Sequence, residues 1–244
     1  MQKQEKMKLT NKIIRWTVTS KLLIPLRKLL NYAISAEHGI IVYYSDSERL
    51  KVFDLIKKIK TETEMAMKDN EAYQIFMAVK RTKKIEGDIV EVGAYKGGSA
   101  KLICEAKENK ILHLFDTFEG LPDVTKIDNP RQFYKGKYLG TLNEVKETLS
   151  KYPEVNFYKG IFPSTSKPIE NKMFSFVHLD VDLYKSTLDS IKFFYPRMNK
   201  GGVIISHDYF GSPVVKKAFD DFFKDKPEPI IEMSGTQCLI VKTG

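Results

Sequence analysis

From about residue 46 onward, apolar and polar positions alternate between two periods. Residues 47–60 and 64–84 read as helices, and "GDIVEVGAYKGGSAKLICEAK" reads as a β-branched strand, a glycine-rich turn and a helix from about Ser99. The alternation then repeats. "KILHLFD" is a strand ending at Asp116, "GTLNEVKETLSKY" a helix, "VNFYKG" a strand, "FSFVHLDVD" a strand, "STLDSIKFFYPRM" a helix, "GGVIISHD" a strand and "SPVVKKAFDDFFKDK" a helix. "PIIEM" and "CLIVK" complete the chain as an antiparallel hairpin. Apolar strands separated by amphipathic helices predict an α/β fold, a mostly parallel sheet with helices on both faces. Ligands of such sheets sit at the carboxyl ends of the strands, where Asp116, Asp180 and Asp208 all fall.

Residues 1–45 behave differently. Leu22, Leu23, Leu26, Leu29, Leu30, Ala33 and Ile34 keep a helical spacing, with Arg27 and Lys28 on the other side. The formal charge of the 244-residue chain is +9, and the first 30 residues hold eight basic side chains and one acidic one, so +7 lies there. The remainder is close to neutral, which argues against a nucleic-acid surface. The apolar run is too short and too charged to span a bilayer, and no small-residue cleavage site follows it. The expected organisation is a basic amphipathic extension, 1–45, and one domain, 46–244. Two readings of the extension stay open: peripheral contact of residues 1–36 with an anionic membrane, or packing on the body or on a second copy in a homo-oligomer. Cys104 and Cys238 are distant and match no metal-ligand spacing, so a reducing, cytoplasmic setting is expected.

The turn "EVGAYKGGSA" places Gly93 directly after a strand and Gly97-Gly98 at a helix start, where backbone can approach a ligand. It has neither the spacing of a dinucleotide fingerprint nor the lysine-serine ending of a phosphate loop. Glu91 and Asp116, one strand apart at the same edge, suit a ligand's amino group and paired ribose hydroxyls, and Phe162 suits stacking on a purine. A nucleoside without phosphates, S-adenosylmethionine, fits best. Ala94, Tyr95 and Ser99 around the turn, Thr117 and Phe118 after Asp116, Gly160 beside Phe162, and Asp180 complete the cofactor candidates.

Over roughly residues 60–225 the chain resembles the macrocin and mycinamicin sugar O-methyltransferases, in "GDIVEVGAYKGGSA", "LFDTFEGLP", "FVHLDVDLYKSTLDSIKFFYPRMNKGGVIISHDY" and "VKKAFDDFF". The resemblance implies a Rossmann-like class I methyltransferase fold, S-adenosylmethionine as methyl donor and a divalent metal. It makes Asp180 and Asp208 ligands and Asp182 the general base. A sugar hydroxyl is a poor nucleophile, so a hard cation that holds its oxygen and a carboxylate that takes its proton have separate tasks. Magnesium suits oxygen ligands. His207 departs from the pattern, because an acidic residue usually stands there. It is read either as a nitrogen ligand favouring Mn2+ or another transition metal, as the base of a metal-free reaction, or as pointing elsewhere.

His178 either borders this site or is a hydrogen-bonded core histidine. Tyr184 and Tyr209 either line the acceptor pocket or pack over it, and Lys216 and Lys217 read as a solvated helix face. "FEGLPDVTKIDNPRQFYKGKYLGT" is long for a connection and reads as a lid. The leading expectation is O-methylation of a sugar or glycoconjugate. The alternatives are methylation of a phenolic hydroxyl, or a non-catalytic nucleotide-binding or membrane-associated scaffold of the same fold.

Overall fold

A computed structural model describes residues 47–244. The expected basic extension, 1–45, with the membrane or subunit contacts expected of it, lies outside the described residues.

Two helices come first, α1 (Ser47–Glu62) and α2 (Asp69–Arg81), followed by β1 (Asp88–Val92), α3 (Gly98–Ala106) and β2 (Leu112–Asp116). Then follow α4 (Leu142–Thr148), β3 (Val155–Lys159), β4 (Phe174–Leu179), α5 (Tyr184–Phe194), β5 (Met198–Ser206) and α6 (Pro213–Phe223). A short β6 (Ile231–Glu232) and β7 (Cys238–Val241) close the chain. The seven strands form one sheet in the order β3-β2-β1-β4-β5-β7-β6. The first five are parallel, β7 runs antiparallel to β5, and β6 pairs antiparallel with β7.

Strand side chains alternate between two cores because successive Cβ atoms point to opposite faces. Ile89, Leu114 and Phe176 pack with Ile56 and Ile59 of α1, Ile75 of α2 and Leu102 of α3. Val90, Phe115 and Val177 pack with Ile191 and Phe194 of α5 and Phe219 of α6. β4 is buried at all six positions, as expected for a central strand covered on both faces.

Two boundaries differ from the sequence expectation. The second helix begins at Asp69, leaving residues 63–68 non-helical. The Glu71 carboxylate accepts the Lys68 N–H at 2.8 Å, which caps the helix and ends the preceding segment there. The strand "FSFVHLDVD" stops at Leu179, so Asp180 and Asp182 do not share a strand face. Asp182 instead occupies a left-handed conformation, φ 58°, at the centre of a three-residue turn closed by Leu183 N–H to Val181 O at 2.6 Å.

Order β2-β1-β4-β5 brings one functional end together. The residue following each strand donates its N–H to the neighbouring strand's last part: Gly93 to Phe115 O at 2.8 Å, Gly160 to Asp116 O at 2.9 Å, Asp180 to Val92 O at 2.9 Å and His207 to Leu179 O at 2.9 Å. The ladder therefore extends into the loops and holds their first residues in register.

Candidate active site

A cleft of about 1000 Å³, open solvent included, lies at the carboxyl ends of the parallel strands. Its floor is the turn after β1. Gly93 has φ +92°, and a Cβ there would stand 1.8 Å from the Asp180 carbonyl oxygen. Only glycine lets the β1 and β4 loops cross so closely. Gly98 performs a similar service for the segment 63–68, since a Cβ on it would meet Glu64 O and Met65 Cβ at 2.7 Å.

Asp116 ties this floor to the next loop. Its Oδ2 accepts the N–H groups of Ala94 at 2.6 Å and Tyr95 at 3.1 Å, while Oδ1 accepts Phe118 N–H at 2.7 Å and the Thr117 hydroxyl at 3.3 Å. Burial pushes its pKa up, and the three amides act in the opposite direction. Tyr95 and Phe118 both adopt positive φ, 48° and 54°, so the carboxylate organises two strained turns.

At the other end stand Asp180, Asp182, His207 and Asp208, all on the cleft wall. One atom each from Asp180, His207 and Asp208 lies within 4.8 Å of the others, a donor set of two carboxylates and one imidazole that could hold a divalent cation. His207 Nδ1 is 3.5 Å from Asp180 Oδ1 and 3.3 Å from Asp208 Oδ2. Burial disfavours an imidazolium, yet Asp180 above all, with Asp208 and Glu71, raises the His207 pKa well above its ordinary value. Asp180 is held low in turn: burial opposes its charge and His207 overrides that opposition. Asp182, only 8 % exposed, is shifted the other way: burial, then repulsion from Asp180 and Asp208, outweighs the attraction of His207 and pushes its carboxyl up to about 8. Asp180, Asp182 and His207 thus differ sharply in proton affinity, the arrangement that separates an acid or base from its electrostatic neighbours.

The structure brings most of the expected residues to one place. Gly93, Ala94, Tyr95, Ser99, Asp116, Thr117, Gly160, Phe162 and Asp180 all line the cleft. Two do not. Glu91 is fully buried within the sheet, where its Oε1 lies 2.8 Å from Nδ1 of its cross-strand neighbour His178, and it does not line the cleft. Phe118 is buried in the core and does not line the cleft, and contributes its backbone N–H to Asp116. Phe162 reaches the wall but is stacked on Phe194 at 5.0 Å and 6 % exposed, so the broader apolar surface there is Ile161, 54 % exposed. His178 is the hydrogen-bonded core histidine of the two readings. Tyr184 and Tyr209 do not line the cleft; their hydroxyls donate to Asp221 at 2.8 Å and Asp220 at 2.9 Å. Lys216 and Lys217 pair with Asp220 and Asp221 one helical turn on.

Sequence reasoning missed Glu64, Met65 and Met67, which line the cleft from the segment expected to be helical. The acidic first turn Asp69-Asn70-Glu71 was the available signal that α2 starts later. It also missed Ser186 and Ser190 on α5, whose one-turn spacing faces the cleft. Ser190 Oγ is buried without a hydrogen-bond partner among the described residues. The long connection after β2 contributes Leu121, Pro122 and Tyr138 to the wall. Asp128 anchors it: its Oδ1 accepts the Tyr184 N–H at the start of α5 at 2.9 Å.

Comparison with known proteins gives this geometry a setting. The chain is 28% identical over 153 residues to a demethyldecarbamoylnovobiocin O-methyltransferase of Streptomyces niveus, covering 57% of this chain and 58% of the relative. It is 28% identical over 169 residues to an 8-demethyl-8-(2,3-dimethoxy-alpha-L-rhamnosyl)-tetracenomycin-C 4'-O-methyltransferase of Streptomyces olivaceus, covering 62% and 64%. The match thus spans about three-fifths of these curated relatives. Among solved structures, the O-methyltransferase NovP superposes with a TM-score of 0.65 at 24% identity, over 74% of this chain and 82% of that one. An O-methyltransferase of Bacillus cereus in complex with SAH gives 0.54 at 13%, over 88% and 97%. These likenesses establish the class I O-methyltransferase fold. Residues 62–238, which include every element that lines the cleft, match the macrocin-O-methyltransferase (TylF) description, and the chain belongs to that family.

Proposed function

We propose that residues 46–244 transfer a methyl group from S-adenosylmethionine to a hydroxyl of a sugar carried on a glycosylated small molecule or glycoconjugate. The observation that carries this reading is the juxtaposition of two carboxylates in unlike settings on one cleft wall: Asp182, buried, and Asp180, grouped with His207 and Asp208 in a donor set that could hold a cation. The curated relatives include a methyltransferase named for a rhamnosyl-bearing substrate, which supports a sugar as the acceptor.

When bound, the cofactor supplies an electrophilic methyl group, and a divalent cation held by Asp180, His207 and Asp208 favours an ionised hydroxyl. The chain's own residues do the rest. The turn at Gly93–Tyr95, locked by Asp116, shapes the cofactor end of the cleft. Ser190 keeps a buried hydroxyl free for a polar ligand atom. Asp182 accepts the acceptor's proton: its carboxylate lies on the cleft wall beside Asp180, and a cation held there would ease the repulsion that raises its pKa and keep it ionised as a base. The two-carboxylate arrangement is what a sugar hydroxyl requires, because its own pKa is too high for unaided ionisation.

The test is methyl transfer from isotopically labelled S-adenosylmethionine to a panel of sugar nucleotides, glycolipids and catechols, with and without chelator, read by mass spectrometry. Labelled methyl on a sugar oxygen is the expected product. Transfer confined to catechols would replace the acceptor class, and cofactor binding with no transfer to any hydroxyl would leave the scaffold reading.

A further inference from the structure

His207 differs from its neighbours in having its far side held. Its Nε2 lies 3.5 Å from Glu71 Oε2 and 3.5 Å from Thr236 Oγ1. Glu71 comes from the first turn of α2, 136 residues away in sequence, and is 2 % exposed. Its carboxylate is itself fixed: Oε1 accepts the Thr236 N–H at 2.8 Å and the Thr236 hydroxyl at 3.0 Å, and Oε2 accepts the Lys68 N–H at 2.8 Å. The turn before Thr236 closes over it so tightly that a Cβ on Gly235 would stand 2.4 Å from Oε1. No other residue type at 235 permits that approach without moving the carboxylate.

This arrangement decides the imidazole's tautomer. Because the Thr236 hydroxyl spends its proton on Glu71, Oγ1 faces Nε2 only as an acceptor, and Glu71 Oε2 is an acceptor as well. With two acceptors beside it, Nε2 keeps its hydrogen. Nδ1 faces two carboxylates of its own, Asp180 and Asp208, so it too carries a hydrogen until a cation held by them takes that hydrogen's place; with Nε2 keeping its own hydrogen, the lone pair then offered is the one on Nδ1. A carboxylate behind a histidine commonly orients metal-bound imidazoles and raises their donor strength.

We propose that Glu71 is a positioning residue that fixes His207 as a nitrogen donor, so that the Asp180–His207–Asp208 site prefers a transition-metal cation of the Mn2+ class over Mg2+. The proposal rests on the metal-assisted reading above and deepens it. Magnesium gains little from a nitrogen ligand, whereas Mn2+ accepts mixed nitrogen and oxygen donors. The acidic charge absent at position 207 is thereby replaced by a directed lone pair, with Glu71 keeping a carboxylate in contact with the imidazole from behind.

The experiment is titration of the full chain with Mn2+ and with Mg2+ by calorimetry, together with pulsed electron paramagnetic resonance of the bound Mn2+, for the wild type and Glu71→Gln. The wild type is expected to bind Mn2+ at least tenfold more tightly than Mg2+ and to show nitrogen-14 modulation from one imidazole. Glu71→Gln, checked for a cooperative melt, is expected to lose about 10–100-fold in Mn2+ affinity, to bind Mg2+ within a fewfold of the wild type and to lose the nitrogen modulation. The wild-type spectrum stands without the variant: Mn2+ bound with no nitrogen coupling overturns the proposal. A folded Glu71→Gln protein with unchanged Mn2+ affinity and unchanged modulation overturns it too. A wild type that binds neither cation overturns the metal reading itself, and the role of Glu71 with it.

Discussion

Asp116 is the residue at which sequence and structure assign different work to the same carboxylate. As a strand-end aspartate it reads as a contact for ribose hydroxyls; in the fold it accepts four hydrogen bonds from the protein itself, three of them from backbone amides. Asp116→Asn preserves shape and removes one acceptor. The side-chain amide can turn its NH2 toward Oδ2's partners, losing Ala94 and Tyr95, or toward Oδ1's, losing Phe118, and the second choice costs less. One hydrogen bond to a charged acceptor contributes about 1.5–3 kcal/mol. Relief from burying a charge, the effect that raises this carboxyl's pKa, offsets part of that, leaving a net loss of about 1–2 kcal/mol. For a domain of this size the melting temperature of the ligand-free protein should fall by about 2–8 °C. Because the turn it holds lines the cleft, S-adenosylhomocysteine should bind roughly five- to thirtyfold more weakly by calorimetry, at 1.4 kcal/mol per tenfold. A purely ribose-contacting aspartate would weaken binding and leave the ligand-free melt untouched. An unchanged melt for folded Asp116→Asn would therefore refute the reasoning, whatever happens to affinity.

Asp182→Asn should keep S-adenosylhomocysteine affinity and lower turnover by about a hundredfold or more; stopped methyl-transfer assays would measure it, and near-wild-type turnover would remove Asp182 as the base. Gly93→Ala should abolish cofactor binding, because the added Cβ would sit 1.8 Å from a backbone carbonyl oxygen and the residue's φ is +92°; calorimetry at wild-type affinity would contradict this. Glu228 should govern part of the acid stability. Burial opposes its charge, but the Tyr195 hydroxyl at 2.6 Å, Lys242 at 2.9 Å and the Thr243 N–H at 3.1 Å hold its pKa down to about 2. A lowered folded-state pKa stabilises above the unfolded value of about 4.5 and is lost as pH falls toward 2. Urea denaturation should lose on the order of 2–3 kcal/mol across that window, and Glu228→Gln should flatten the loss. Deleting residues 1–36 should leave cofactor affinity intact and reduce any sedimentation with anionic vesicles at low salt, since each lysine or arginine near such a surface adds about 1 kcal/mol.

The alternation of strands and helices, the parallel class of the sheet and the end at which the cleft lies were all legible along the chain, because they depend on local periodicity and on where strands end. So were Gly93, Asp116, Asp180, Asp182, His207 and Asp208 as a group, since each directly follows or ends an apolar run. Periodicity says nothing of where a strand stops pairing. It extended β4 through Asp182, whereas the sheet ends at Leu179 and a left-handed turn separates the two aspartates into a charged one and a protonatable one. Nor does it reveal that Glu91 spends its carboxylate on His178 across the strand pair. Above all, Glu71 carries no mark of function on its own helix, where it reads as a first-turn cap. Only the tertiary fold, by folding α2 against the β6–β7 turn and the end of β5, brings that carboxylate to His207, because electrostatic and hydrogen-bonding partnership depends on distance in space and not on separation along the chain.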